Sequence, residues 1–190
     1  MERIVSEPKY IIHCALDDPI PFSAWFLIPY GSWFILLVGA PLFYLLTDKR
    51  DFLKLCGIMF NGMTFCLLFY LLVPNGLNLR PEVTGDGLLD NIARMLYAID
   101  TPMNVCLSIH VASTTAVCLV TRRSEQFKRR PWVRAAVFLW AVLIILSTVF
   151  LKQHSLIDVF WGIVLSLALY LIFYSPWMDA HSPFREKSAA

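Results

Sequence analysis

Charge is what this sequence has least of. Only 16% of its 190 residues are Asp, Glu, Lys or Arg, and 58% are hydrophobic. Soluble domains run nearer about 25% and about 45–50%, so an ordinary soluble domain is excluded. The net charge of +2 supplies no bulk field for a polyanion, and no nucleic-acid partner is expected. The five cysteines, at 14, 56, 66, 106 and 118, are odd in number and include no C-x-x-C pair. That excludes a disulfide framework and leaves them as small apolar residues within helices. No internal repeat or low-complexity tract is visible. The start, M-E-R-I-V-S-E-P-K-Y, lacks a basic segment followed by an apolar core and a small-residue cleavage site, so no signal peptide is expected.

Long apolar runs are what the sequence has in quantity. Five are long enough to cross a bilayer, which takes about 20 largely apolar residues: 23–46, 53–73, 102–120, 132–151 and 155–175. Lipid offers no partner for free backbone groups, so each is expected to be an α-helix. The fold class is therefore all-α: a polytopic membrane helix bundle of five transmembrane helices, six if the apolar but short stretch within residues 10–22 enters the bilayer. The whole chain, 1–190, reads as one integral membrane domain. Gly57 and Gly62 point to close helix contact, and Pro29 and Pro41 to kinks in the first helix. The 74–101 connection contains P-N-G and T-G-D-G turn signals. It then places Leu88, Leu89, Ile92, Met95, Leu96 and Ile99 at helical spacing. That predicts a short amphipathic helix on the membrane surface, a lid or a rim for lipid access.

The connections set the orientation. Loops 48–54 and 121–134 and the C-terminal tail (Arg185, Lys187) carry eleven basic residues. The opposite side carries five: Arg3, Lys9, Arg80, Arg94 and Lys152. The positive-inside rule then puts the N-terminus outside and the C-terminus in the cytoplasm, with the plasma membrane as the expected location. The basic 121–134 loop reads as a topology anchor meeting the lipid surface.

Against this apolar background a few polar side chains stand out. Arg80, His110, His154 and Asp158 lie in or beside the spans, where a charge costs at least a few kcal/mol and usually serves a function. The topology puts all four at one membrane face. His154 and Asp158, four apart, share a helix face. A carboxylate beside an imidazole fixes its tautomer and leaves the other nitrogen free to attack phosphorus. His110 is the candidate general acid. Arg80 and Lys152 are candidates to neutralise phosphoryl oxygens, and Ser108 with the backbone N–H groups near it could add donors. Each residue also has a plainer reading: His110 as a packing residue, His154 and Asp158 as a structural ion pair, Arg80 as an interfacial anchor. His13 and His181 lie in terminal segments without partner spacing. No H-x-x-x-H or comparable ligand pair supports a metal site, and neither metal nor cofactor is expected.

These residues resemble the type 2 phosphatidic acid phosphatase family, which shares a superfamily with vanadium haloperoxidases. The family pattern is K-x-x-x-x-x-x-R-P, then P-S-G-H, then S-R-x-x-x-x-x-H-x-x-x-D. The matching segments are V-P-N-G-L-N-L-R-P (73–81), L-S-I-H (107–110) and S-T-V-F-L-K-Q-H-S-L-I-D (147–158). Asp100, Pro102 and Asn104 are similar to a variant of bacterial members and lipid phosphotransferases. Val73, Leu107, Ile109 and Thr148 stand where the family has Lys, Pro, Gly and Arg. The resemblance covers about residues 50–175. It implies phosphoryl transfer without a metal, through a phosphohistidine on His154, with His110 protonating the leaving group. Arg80, Lys152, Ser108 and Ser147 would hold the phosphate. The implied substrate is a membrane lipid phosphate or diphosphate. An alcohol acceptor in place of water would make the protein a phosphotransferase. A third reading is a non-catalytic scaffold or transport protein. Nothing in the residues speaks to oligomeric state.

Overall fold

The computed structural model describes residues 8–176 and 178; His181, Arg185, Lys187 and Arg3 lie outside them. Six α-helices make up most of the described chain: α1 Leu27–Thr47, α2 Lys49–Leu72, α3 Leu88–Ile99, α4 Ile109–Arg123, α5 Pro131–Phe150 and α6 Leu156–Phe173. Two two-residue strands, β1 Tyr10–Ile11 and β2 Asn75–Gly76, pair in parallel. The architecture is an all-α membrane helix bundle.

Four helices are long and apolar enough to cross a membrane: Ala24–Thr47 (α1 with its leading 3-10 turn), α2, α5 and α6. Their outward faces carry exposed Phe34, Val38, Leu72, Phe138 and Leu171, as lipid-facing surfaces require. α1 continues unbroken through Pro41. Asp48 joins α1 to α2 by accepting from the N–H groups of Arg50 and Asp51, at 2.9 and 3.1 Å, which satisfies orphan donors at the helix start.

The third expected span differs from the reading of the sequence. Helix begins at Ile109 rather than at 102, and α4 has 15 residues, about 22 Å of rise. It can be short and polar because protein, not lipid, surrounds it. Val111, Ala112, Ser113, Thr114, Ala116, Val117, Val120 and Thr121 are all buried, and α1, α2, α5 and α6 pack around it. Trp33 Nε1 donates to Ser113 Oγ at 2.9 Å, and Tyr44 OH donates to Thr121 Oγ1 at 3.1 Å. Ser166 of α6 donates to the Ala112 carbonyl. Such interhelical hydrogen bonds satisfy polar groups that lipid would leave bare. The Gly57 and Gly62 contact is present: Phe173 crosses α2 at Gly57, and Leu169 Cδ1 lies 3.5 Å from a Cβ built at Gly62.

The expected amphipathic helix is α3, one residue shorter than 88–100. It exposes Leu88, Ile92, Met95 and Ile99 along one side, and Tyr97 OH ties it to the Leu151 carbonyl at 2.9 Å.

The P-N-G signal is not a turn. Asn75 and Gly76 form β2, with β1 on one side and residues 102–104, bridged through Met103, on the other. A Cβ at Gly76 would lie 2.9 Å from Pro8 Cβ and 3.0 Å from the Pro102 carbonyl, so the three-layer approach requires glycine. Residues 10–22 accordingly contain no helix; they supply β1 and a turn that buries Asp17.

Candidate active site

The site forms where three stretches distant in sequence meet: 73–80, 100–110 and 147–158. Asn75 joins the first two. Its Oδ1 accepts from the N–H groups of Val105 and Cys106, both at 2.9 Å, and its Nδ2 donates to the Val73 and Cys106 carbonyls at 2.9 and 3.0 Å. Every donor and acceptor of this fully buried amide is used, which fixes the irregular backbone leading into α4. Non-helical backbone at membrane depth is tolerated when protein satisfies it in this way. Asn104 turns the chain with a φ of 56°, a left-handed conformation that Asn tolerates better than most residues. Ser108 then caps α4, its Oγ accepting from Val111 N–H at 3.3 Å.

His110 lies in the first turn of α4, its ring held against Trp33 (centroids 4.2 Å apart) and Tyr30 (4.8 Å). The His154 ring lies 5.6 Å away at an interplanar angle of 61°. Both histidines line a cavity of about 150 Å3 shared with Tyr70, Asp100, Asn104 and Gln153. A water in the liquid takes about 30 Å3, so the space suits a phosphoryl-sized group rather than a whole lipid.

His154 is placed by the α5–α6 turn. Lys152 reverses the chain with a φ of 52°. The Thr148 carbonyl receives the N–H groups of Gln153 and His154 at 2.9 and 3.1 Å. Ser155 caps α6 and Asp158 completes a capping box: Asp158 Oδ2 accepts from Ser155 N–H at 2.9 Å. The same oxygen lies 3.4 Å from His154 Nδ1. That is long for a hydrogen bond, and catalytic contacts commonly tighten only when substrate is bound.

The structure brings together His110, His154 and Asp158, with Arg80 just behind the cavity wall. Arg80 donates to Gln153 Oε1, to the Asp100 carbonyl at 2.5 Å and to the Tyr97 carbonyl at 3.4 Å, and its guanidinium lies 4.7 Å from the Tyr97 ring centroid. Three other candidates are placed elsewhere. Lys152 does not line the cavity; its buried Nζ donates to the Asp17 carbonyl at 2.8 Å. Ser147 Oγ donates to the Ile144 carbonyl at 2.6 Å within α5. Ser108 serves its helix cap. All three are occupied with backbone groups because the bend and the helix ends need them. His13 pairs with Asp18 at 2.7 Å on the exposed surface. Among the described residues, no group of three or more His, Cys, Asp or Glu side chains is arranged to hold a metal ion.

Three residues escaped the sequence reading. Gln153 is 2% exposed, lines the cavity, and has no hydrogen-bond partner for Nε2 among the described residues. Its place next to His154 was the available signal. Asn75 was hidden inside what looks like a turn. Asp17, in a D-D-P stretch, is buried against the start of α6: Oδ2 accepts from Ser155 Oγ at 2.6 Å and from Cys14 N–H at 2.9 Å, and Oδ1 accepts from Leu156 N–H at 2.9 Å. Burial pushes its carboxyl pKa upward, but hydrogen bonds from Leu156, Ser155 and Cys14 outweigh this and hold it below the ordinary 3.8.

Comparison with curated proteins and with solved structures gives no match. Residues 103–181 match the family model described as PAP2 superfamily, a family whose chemistry is of the phosphatase type on phosphate esters. The matched stretch holds both imidazoles of the cavity and the carboxylate behind His154. Four membrane-length helices and the paired-histidine cavity accompany this likeness, which residues 103–181 of the chain show to the PAP2 superfamily.

Proposed function

We propose that the protein is a metal-independent phosphatase of a membrane lipid phosphate or diphosphate, working at the extracytoplasmic face of the plasma membrane. The observation that carries this reading is the pair of imidazole rings 5.6 Å apart across one small cavity, one of them backed by a carboxylate. His154 Nε2 attacks phosphorus while Asp158 holds the proton on Nδ1. The P–N bond forms as the P–O bond to the lipid alcohol breaks, and His110 gives a proton to the departing oxygen. Water, losing its proton to His110, then attacks the phosphohistidine. The P–N bond breaks, inorganic phosphate leaves, and both rings return to their starting state.

A lipid substrate is supported by the surroundings. The cavity takes only a headgroup, while α3 beside it offers an exposed apolar face to acyl or prenyl chains. The cations are fewer than in the family pattern, with Arg80 alone beside the wall among the described residues. Phosphate charge is then met by Arg80 together with neutral donors such as the Gln153 amide.

The test is phosphate release by purified protein in detergent from a panel of lipid mono- and diphosphates with chelator present. Release that survives chelation and disappears in His154→Ala is the expected result. Labelled phosphate moving to a second lipid without free phosphate would make the protein a phosphotransferase. No release and no label trapped on the protein would leave a scaffold.

A further inference from the structure

At the opposite end of the bundle, α5 and α6 stand apart over α4. The groove between them has a volume of about 690 Å3 and is lined by Cys118, Leu119, Phe138, Val142, Ile145 and Leu167, among others. Its residues are none of those lining the histidine cavity. The lining is apolar apart from Thr115 and from one end, where Arg122 of α4 and Arg134 of α5 enter it. Arg134 donates to the Ser124 carbonyl at 2.8 Å through one nitrogen, but its buried Nε has no hydrogen-bond partner among the described residues. In the first turn of α5, Trp132 is 69% exposed, as aromatic residues at a membrane–water boundary are.

An anion is the complement to this end, and a hydrocarbon chain is the complement to the rest. Along α5 the groove runs from Arg134 to Leu146, about 18 Å of helix rise. One leaflet of hydrocarbon is about 15 Å deep. Its volume falls within the ~300–1,000 Å3 range of ligand sites. Free phosphate would leave the apolar length uncovered, and a zwitterionic phospholipid would bring its own cation beside the two guanidinium groups.

We propose that this groove binds one anionic phospholipid, its acyl chain along α5 and its phosphate between Arg122 and Arg134. The site is separate from the phosphatase reading and does not depend on it.

The test uses full-length protein in detergent, with phosphatidylglycerol and phosphatidylcholine of identical chains. Phosphatidylglycerol is a phosphodiester, so it is not a substrate of the proposed chemistry. It should raise the unfolding temperature by about 4 °C or more at saturation, with phosphatidylcholine giving less than half that shift. Arg122→Gln removes the exposed headgroup contact, and Ala135→Trp fills the groove; both should abolish the difference between the lipids. Neutralising Lys128, Arg129 and Arg130 on the adjacent loop should leave it in place. Arg134 also ties down Ser124, so the test does not rely on its replacement. Equal shifts by the two lipids, a retained difference in either groove variant, or loss in the loop variant would overturn the proposal.

Discussion

Asp17 and Ser155 are 138 residues apart in the chain, and their side chains meet at 2.6 Å. Ser155 in turn offers its backbone N–H to Asp158, and Asp158 faces His154. The N-terminal segment is thus linked through two helix-capping residues to the imidazole at the centre of the cavity. This contact is all polar, in a bundle held together mainly by apolar packing. Titration of one carboxyl should therefore reach the site.

Asp17→Ala should lower stability by about 1–3 kcal/mol, the range for leaving buried donors unpaired. The pH dependence has a definite sign. Asp17's folded pKa is depressed below 3.8, so its contribution is complete above the unfolded value and is lost as pH falls through the folded one. The unfolding temperature should start to drop as pH falls toward the unfolded value and go on dropping through the folded one, and Asp17→Asn should flatten that part of the profile. An unaltered profile in the variant would show that the carboxylate is not what holds the segment.

Lys152 separates two readings of the α5–α6 turn. As a phosphate ligand its loss would raise KM; as an anchor for the Asp17 carbonyl its loss would lower stability. The 2.8 Å contact and the residue's absence from the cavity lining favour the anchor. Lys152→Met should lower the unfolding temperature by several degrees, equivalent to about 1–3 kcal/mol, while KM for a phosphate ester changes less than about twofold. A tenfold rise in KM with normal stability would restore the phosphate-ligand reading.

The parts of the fold legible in the sequence were those written in local periodicity. The four long apolar helices and α3 lie within a few residues of their expected bounds, because each has a continuous apolar run or an amphipathic stripe. α4 was misplaced at its start because Met103, Val105, Cys106 and Leu107 are as apolar as a helix, while the conformation there is set by Asn75 from 30 residues away. The two histidines and Asp158 were readable because polar groups in such runs are rare. Asp17, Asn75 and Gln153 were not: nothing local distinguishes a polar residue in a loop from one that a distant segment will bury.

Asp158 combines a capping role with an orienting one, and Asn should separate them. An asparagine carbonyl oxygen can still accept from Ser155 N–H, preserving the capping box. Because that same oxygen faces His154 Nδ1, the asparagine keeps an acceptor there but loses the negative charge that holds the proton on Nδ1 and stabilises the imidazolium. Asp158→Asn should leave the unfolding temperature within a few degrees and lower kcat by about 10²–10⁴. Loss of folding, or kcat within tenfold of the parent, would contradict the orienting role.

Gln153 offers a test of how a cavity with few cations holds a phosphoryl group. Its Oε1 is engaged by Arg80, so its Nε2, buried and without a partner among the described residues, is the atom left for a ligand in the space beside both histidines. Gln153→Leu keeps the bulk and removes the donor. It should raise KM, and the inhibition constant for vanadate or phosphate, by about tenfold, the value of one hydrogen bond to a charged group. Gln153→Glu adds negative charge where the phosphoryl oxygens would lie, although it pairs better with Arg80. It should weaken anion binding further, by about 10²-fold, with stability equal to or above that of the parent. An unchanged KM in Gln153→Leu would mean that the amide serves only to position Arg80. Equal losses in both variants would mean that shape, not charge, governs the cavity.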